Sequence, residues 1–504
     1  MEREAFEHFL SDATRLGPVP DGAFTGAAGG AACGDLSRIS LVLDGGRVVD
    51  ATFDAEGCGA TRAATAAAVD MACDAPVLDA AAIGVGDVDA ALGGLTPAKR
   101  HAAQLATDAL HRALAQAAAS TERLASADLD GLATGPTGVG GSDAVDPRDT
   151  PGRVLVAMSG GVDSAVAALL ERERGAEVVG VTVKLWADPD TDGAKACCSP
   201  EAVLGARALA HSLGISHFTL DLEEQFRRRV VGSFVDGYAA GRTTNPCVLC
   251  NGEVRIAAMV DLADRLDATH LVTGHYARIV EDGDGPLLAA ASDEAKDQSY
   301  MLAALPPPLL SRLRFPLADL AKPEVREIAA RHDLAVAGKA ESQDLCFLAG
   351  QGKREFLRRH GGLRDRDGAL VDRSGAVLGR HRGHHHYTVG QRRGIGIGAP
   401  EPLYVLGTDA ASNTVTVGTR AELETTRVRI RDAVLHRDGA QVDAVRLRYH
   451  SRVLPASIGA ARPGGHDALE VELLEPFAGA APGQTAALLS GSAIVGHGTI
   501  ASAA

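Results

Sequence analysis

Three short segments carry groups that could do chemistry: MSGGVDS (Met158–Ser164), NPCVLCN (Asn245–Asn251) and the lone Cys346 of ESQDLCF. The first follows an apolar run, Val154–Ala157, and leads into an alanine- and leucine-rich stretch. Gly160 and Gly161 let backbone N–H groups approach an anion closely, and a following helix N-terminus adds partial positive charge. Ser159 and Ser164 can donate hydrogen bonds, and Asp163 can help to hold Mg2+. The pattern GxxxxGK[ST] is absent, so the segment reads as an anion cradle other than Walker A, or as an ordinary strand–turn–helix corner. Cys247 and Cys250 form a C-x-x-C, which alone fits a redox pair, half a zinc site or a chance spacing. No second C-x-x-C exists, which argues against a four-cysteine zinc ribbon. Cys346, between Leu345 and Phe347, reads by itself as a small core hydrophobe.

The elements around these segments alternate. VLVAM, AEVVGVTVKLW, SHFTLDL and THLVTGHYA have strand character, and helical patterns lie between them. That alternation predicts a parallel, doubly wound Rossmann-like sheet. Ligands of such sheets bind at the carboxyl ends of the strands, where the chemical segments fall. Earlier in the chain, RISLVLDGGRVVDATFDAEG predicts a hairpin, and two helical segments follow it. Residues 119–152 lose apolar periodicity and gather Gly, Asp, Pro and Ser, as a linker does. Beyond about Gly361, short strands separated by turns predict two small β-rich domains. The expected organisation is an α+β unit at 1–118, a linker at 119–152, a catalytic α/β domain at 153–360, a central β domain at 361–425 and a β-barrel at 426–504.

With 504 residues, 46% hydrophobic and 23% charged, the chain is globular and multidomain. The opening MEREAFEHFLSDATRLG has no apolar core of signal-peptide length, and no uncharged apolar run reaches about 18 residues. A cytoplasmic location without a membrane partner is expected. In that compartment the eight cysteines point to metal or catalytic thiols rather than structural disulfides. A net charge of −15 argues against nonspecific nucleic-acid binding, but arginine clusters (Arg380, Arg382, Arg392, Arg393, then Arg427–Arg452) leave room for local patches.

In order along the chain, AMSGGVDSAVAALL, VTVKLW, GRTTNPCVLCN, VTGHYAR, KDQSYML, ESQDLCF, YTVGQRRGIGIG, RLRYHS and PGQTA make residues 153–503 resemble the tRNA-specific 2-thiouridylase (MnmA-like) family. The SGGVDS segment resembles the pyrophosphate loop of ATP pyrophosphatases (adenine nucleotide alpha-hydrolase-like enzymes). The resemblance implies an ATP-dependent sulfur transfer to the wobble uridine of tRNA. It implies ATP contacts at Ala157, Met158, Ser159, Gly160, Gly161, Val162, Asp163, Ser164, Val183 and Gly274. It implies Cys250 as the first catalytic cysteine and Cys346 as the persulfide carrier. It places tRNA contacts at Asn245, Pro246, Cys247, His275, Lys296, Asp297, Gln298, Arg448, Tyr449 and Gln484. Many members carry Asp where this chain has Cys247.

The segments AACGD, GCGAT and PAKRHAAQLATDAL make the N-terminal unit resemble iron–sulfur scaffold proteins of the NifU/IscU type. That implies a site for an iron–sulfur cluster or zinc at Cys33, Asp35, Cys58 and His101, and a cysteine desulfurase or sulfur-relay protein as donor. Ala102 stands where the family's third cysteine follows histidine, and Cys73 does not occupy that position. The three histidines of HHHYTVGQ (His384–Gln391), read as a strand, alternate in direction and cannot share an ion, so RNA contact or plain surface is expected. Two rival functions remain: an ATP-pyrophosphatase ligase of another substrate, which needs no paired cysteines, and an iron–sulfur carrier with an inactive second domain.

Overall fold

A computed structural model describes residues 3–29, 34–120, 124, 152–186, 199–339, 345–348 and 350–503. The N-terminal unit is a three-stranded antiparallel sheet, Phe24–Gly29, Leu36–Asp44 and Arg47–Glu56, covered by helices Gly59–Ala72 and Arg100–Ala119. The hairpin read from the sequence is present, turning at Gly45 and Gly46, both with positive φ. The two helices bury a nearly continuous run of alanines, so they pack closely on the sheet. At Gly26 no side chain fits, since a Cβ would lie 2.1 Å from the Ala109 carbonyl oxygen.

The catalytic unit has five parallel strands in the order Leu313–Arg314, His270–Thr273, Arg153–Ala157, Glu177–Lys184, Ser216–Asp221. These strands are apolar because helices cover both faces. Chain order reverses between Arg153–Ala157 and His270–Thr273, so a crevice opens at their carboxyl ends. MSGGVDS and Gly274 both lie there.

The scaffold unit packs on the sheet's edge strand, Ser216–Asp221, and the neighbouring helix Pro200–Ser212. Asp108 accepts a 2.7 Å hydrogen bond from buried Arg207, and His211 Nε2 donates to the Ala81 carbonyl at 3.2 Å. This covers a strand edge that would otherwise expose unpaired backbone groups.

The central domain is a four-stranded sheet ordered Val377–His381, Gly368–Val371, Thr414–Gly418, Tyr404–Asp409. The last domain closes six strands between Glu424 and Ala503 into a barrel through pairing of Glu424–Leu435 with Ala493–Ala503. A hairpin from the catalytic half, Arg278–Asp282 and Gly285–Ala289, extends that sheet through Ala493 and Ile494. Arg437 reaches across to Asp282 with hydrogen bonds of 2.9 and 2.6 Å. The barrel is therefore tied to the catalytic unit by backbone pairing. No described helix is long and apolar enough to cross a membrane.

Candidate functional site

Helix Val162–Glu173 begins directly after Gly160 and Gly161, and Gly160 has φ +68°, which a side chain disfavours. Ser164 Oγ accepts from the Ser159 N–H at 3.2 Å and donates to the Gly161 carbonyl at 3.1 Å, so the loop is tied to itself. Thr182 Oγ1 donates to the Met158 carbonyl at 2.7 Å and accepts from buried His217 Nε2 at 2.8 Å. Ser159 remains exposed, Ala157 and Val183 are half-buried at their strand ends, and Val162 is buried. Gly274 lies against the loop: a Cβ there would lie 2.7 Å from backbone atoms of Asp163 and Ser164. A glycine cradle open on one side fits a polyphosphate.

Two lysines not singled out from the sequence join this loop. Lys322 Nζ donates to both carboxylate oxygens of Asp163, at 2.6 and 2.8 Å, and Tyr276 OH donates to Oδ1 at 3.0 Å. Lys339 Nζ donates to the Gly160 carbonyl at 2.9 Å. Asp163, read as a Mg2+ ligand, is thus an anchor for Lys322 in this structure. The two lysines put positive charge beside the cradle, which suits phosphate oxygens.

Cys250 ends the short helix Pro246–Cys250, is 7% exposed, and lies in the main apolar cluster. A π-helical turn, Asn251–Arg255, follows it. Such turns often mark functional sites. Cys346 is half-buried, packs against the same cluster and opens a 3-10 turn, Cys346–Leu348. Phe347 anchors that turn among Phe226, Phe234 and Phe356, with ring centroids 5.0–5.8 Å away.

Asn245 caps the Pro246–Cys250 helix, accepting from the Val248 N–H at 3.3 Å. Gln484 Nε2 donates to the carbonyls of Thr243 and Thr244 at 2.9 and 3.2 Å, so the barrel holds the loop before Asn245. Tyr300 OH donates to the Thr485 carbonyl at 2.7 Å, and its ring stacks on Tyr449 at 6.2 Å. Burial raises the Tyr449 phenol, and nearby Asp297 and Cys247 add to the rise. Asn245, Cys247, Tyr449 and Gln484 therefore meet where the catalytic unit joins the barrel, while Arg448 is exposed beside them. A groove of about 770 Å³ runs along this junction, with Arg228, Arg229, Arg242, Arg431 and Asn245 in its walls.

Other expected RNA contacts have structural work. Asp297, 4% exposed, accepts from Arg446 at 2.6 Å and Ser299 Oγ at 2.8 Å. Gln298 Oε1 accepts from the Tyr276 N–H at 3.1 Å. His275 bonds Thr273 Oγ1 at 2.7 Å; burial, aided by Arg255, pushes its pKa down to about 3, so the ring is neutral. Lys296 is half-buried and Pro246 buried.

In the scaffold unit, donor atoms of Asp35, Cys58 and His101 lie within 4.8 Å of one another. Asp35 Oδ1 accepts from the Cys58 N–H at 3.0 Å; Oδ2 accepts from Thr61 Oγ1 at 2.7 Å and lies 3.2 Å from His101 Nε2. These bonds, Thr61 first, hold the Asp35 carboxyl well below its ordinary range despite burial. Burial works to raise the Cys58 thiol, but hydrogen bonds from Thr61 and the Ala60 backbone outweigh it and lower the pKa. Ala102 is fully buried on the helix and offers no ligand. Cys33 lies outside the described residues.

Family models match in four blocks: a NifU-like N-terminal domain at 2–123, a tRNA methyl transferase HUP domain at 152–350, a tRNA methyl transferase PRC-barrel domain at 354–419 and an aminomethyltransferase beta-barrel domain at 425–500. The bifunctional protein NifU/MnmA of Rubrobacter xylanophilus is 46% identical over 499 residues, 98% of this chain and 97% of that one. The chain belongs to the bifunctional NifU/MnmA family. The tRNA-specific 2-thiouridylases MnmA of Acidithiobacillus ferrooxidans and Syntrophotalea carbinolica are each 42% identical, covering 69% of this chain and 98% of theirs. Family membership thus accounts for both halves: the NifU-like block carries the Asp35, Cys58 and His101 cluster, and the blocks shared with MnmA carry the glycine cradle and both cysteine segments.

Proposed function

We propose that this chain is an ATP-dependent tRNA-uridine 2-sulfurtransferase whose NifU-like domain supplies or relays sulfur. The observation that carries the reading is the joining, in one chain of this family, of an open glycine cradle with two cysteines packed on one apolar cluster. ATP, bound at Ala157–Ser164, Val183 and Gly274, supplies the adenylyl group that turns the uracil 2-oxygen into a leaving group: the 2-oxygen bonds the α-phosphorus, the bond between the α and β phosphates breaks, and pyrophosphate departs. The loop N–H groups, Ser159, Lys322 and Lys339 hold the phosphates, and the base reaches the site by leaving its stack.

Cys346 carries the transferred sulfur as a persulfide. Its terminal sulfur attacks carbon 2, AMP departs with the former 2-oxygen, and a C2–S–S–Cys346 linkage forms. The Cys250 thiolate then attacks the Cys346 sulfur. The thiocarbonyl is released, and a Cys250–Cys346 disulfide remains for an external dithiol to reduce. Asn245, Pro246 and Cys247 flank the base, and Arg448, Tyr449 and Lys296 face the RNA. Gln484, Asp297, Gln298 and His275 shape that surface from behind.

In the scaffold domain, Asp35, Cys58 and His101 suit zinc or iron, with Cys33 as a fourth donor from outside the described residues. Serine at Cys250 or Cys346 should abolish thiolation while leaving ATP affinity within about twofold, because a hydroxyl cannot carry a persulfide. Near wild-type thiolation by Cys346→Ser would refute the persulfide assignment.

A further inference from the structure

The triple histidine does not form a strand. His384–His386 makes a single 3-10 turn after Gly383, so the expected alternation fails. His384 is taken up elsewhere, with Nε2 donating to the Ala239 carbonyl at 3.1 Å and Nδ1 3.2 Å from Asn413 Oδ1. The His385 and His386 rings instead lie together, centroids 4.1 Å apart. Asp365, from the segment after helix Lys353–Gly361, joins them: His386 Nε2 is 3.0 Å from Asp365 Oδ1. Donor atoms of Asp365, His385 and His386 all lie within 4.8 Å of one another.

Far from being surface, His385 is 4% exposed. Its Nε2 is buried without a hydrogen-bond partner among the described residues, and so is His386 Nδ1. Buried nitrogens of this kind are uncommon unless an ion or water completes them. We propose that Asp365, His385 and His386 bind a divalent transition-metal ion of the zinc class, with water as the remaining ligand. Two imidazole nitrogens and one carboxylate oxygen are a zinc-type donor set, whereas Mg2+ and Ca2+ call for six or more oxygens. Zinc bonds near 2.0–2.1 Å place tetrahedral donors about 3.3 Å apart. Donors already within 4.8 Å of one another need only small side-chain shifts to reach that spacing, and the exposed Asp365 side chain has room to move. Arg354 donates to Asp365 Oδ2 and leaves Oδ1 toward the imidazoles, which is how a ligand carboxylate is oriented from behind.

The ion would pin two segments of the central domain to each other, the one at Asp365 and the turn at His385 and His386. Asp365 lies between helix Lys353–Gly361 and strand Gly368–Val371, and the histidines precede the YTVGQ loop. The same crossing carries a cleft of about 880 Å³ with Lys353, Arg354, Arg358, Arg359 and Arg364 in its walls, so pinning it also fixes a cationic surface.

The test uses the full chain carrying Cys58→Ser and His101→Ala, which disable the scaffold cluster. Chelator-stripped protein is titrated with Co2+ and followed by absorption. One equivalent should bind with d–d bands but no thiolate-to-cobalt charge-transfer band, because no sulfur is a ligand. Asp365→Asn, an isosteric change at an exposed position, and His386→Gln should each weaken that binding at least tenfold. Absence of thiolate-free Co2+ binding, or unchanged affinity in either variant, would overturn the site.

Discussion

Gly274 shows how narrowly single residues define the cradle. A methyl group there meets Asp163 and Ser164 backbone atoms at 2.7 Å, and backbone cannot give way as a flexible side chain can. Gly274→Ala should cost about 1–3 kcal/mol of stability and raise the KM for ATP at least tenfold, read by thermal melting and by kinetics. An unchanged KM would detach Gly274 from the ATP site. MSGGVDS was legible because its chemistry is local: glycines, hydroxyls and a helix start lie within seven residues. Lys322 and Lys339 were not, since they meet the loop from 159 and 179 residues downstream, in segments with no motif of their own. Cys247 belongs to this scale too. If Cys250 and Cys346 alone cycle sulfur, Cys247→Ala should retain most activity and the isolated protein should need no iron. A stoichiometric cluster lost with Cys247, together with activity, would favour three-cysteine ligation of a [4Fe–4S] cluster instead.

Asp297 shows what elements add to a residue. KDQSYML resembles an RNA-contacting segment, yet the Asp297 carboxylate is buried under Arg446 and Ser299. Its work is to clamp the 3-10 turn Ser299–Leu302 to strand Ala444–Arg446, and so to place Tyr300 and Tyr449. Breaking a buried pair strands its partner, so Asp297→Ala should cost about 3–5 kcal/mol, visible as a lower denaturation midpoint. Weaker tRNA binding at unchanged stability would instead mean direct contact with RNA. Strands and helices were readable from periodicity, but partners of buried charges were not, because pairing is set by tertiary register. The histidine turn failed for a related reason: a three-residue 3-10 segment is too short to leave a period.

At the scale of the whole molecule, two buried histidines, His111 and His217, and the half-buried His211 connect the scaffold domain to the catalytic sheet. His111 packs 5.1 Å from His211, and its Nε2 donates to the Ile83 carbonyl at 2.9 Å, while His217 leads through Thr182 to Met158. Burial first, then the positive charge of Arg207, lowers the pKa of His111 and His217; for His211, burial and Arg207 outweigh a bond to Ala81. Groups held neutral in the fold take up protons on opening once pH falls below their ordinary value of 6.5, so the contact is fully stable above that pH and weakens below it. Hydrogen exchange in helix Arg100–Ala119 should therefore quicken between pH 7 and about 5.5, after correction for intrinsic rates, and less so in His111→Gln. Equal protection across that range would exclude the coupling. The order of domains was legible from changes in pattern, but the hairpin at Arg278–Ala289 that extends the barrel sheet was not, since its partner strand lies some 200 residues away. The central claim, sulfur transfer through Cys346, is tested most directly by mass spectrometry of tRNA nucleosides after incubation of the full chain with ATP, a dithiol, cysteine and a cysteine desulfurase. The expected result is 2-thiouridine at the wobble position, dependent on ATP, lost in Cys346→Ser and slowed in Cys58→Ser; 2-thiouridine formed at an undiminished rate by Cys346→Ser, or none formed by the wild-type chain, would contradict it.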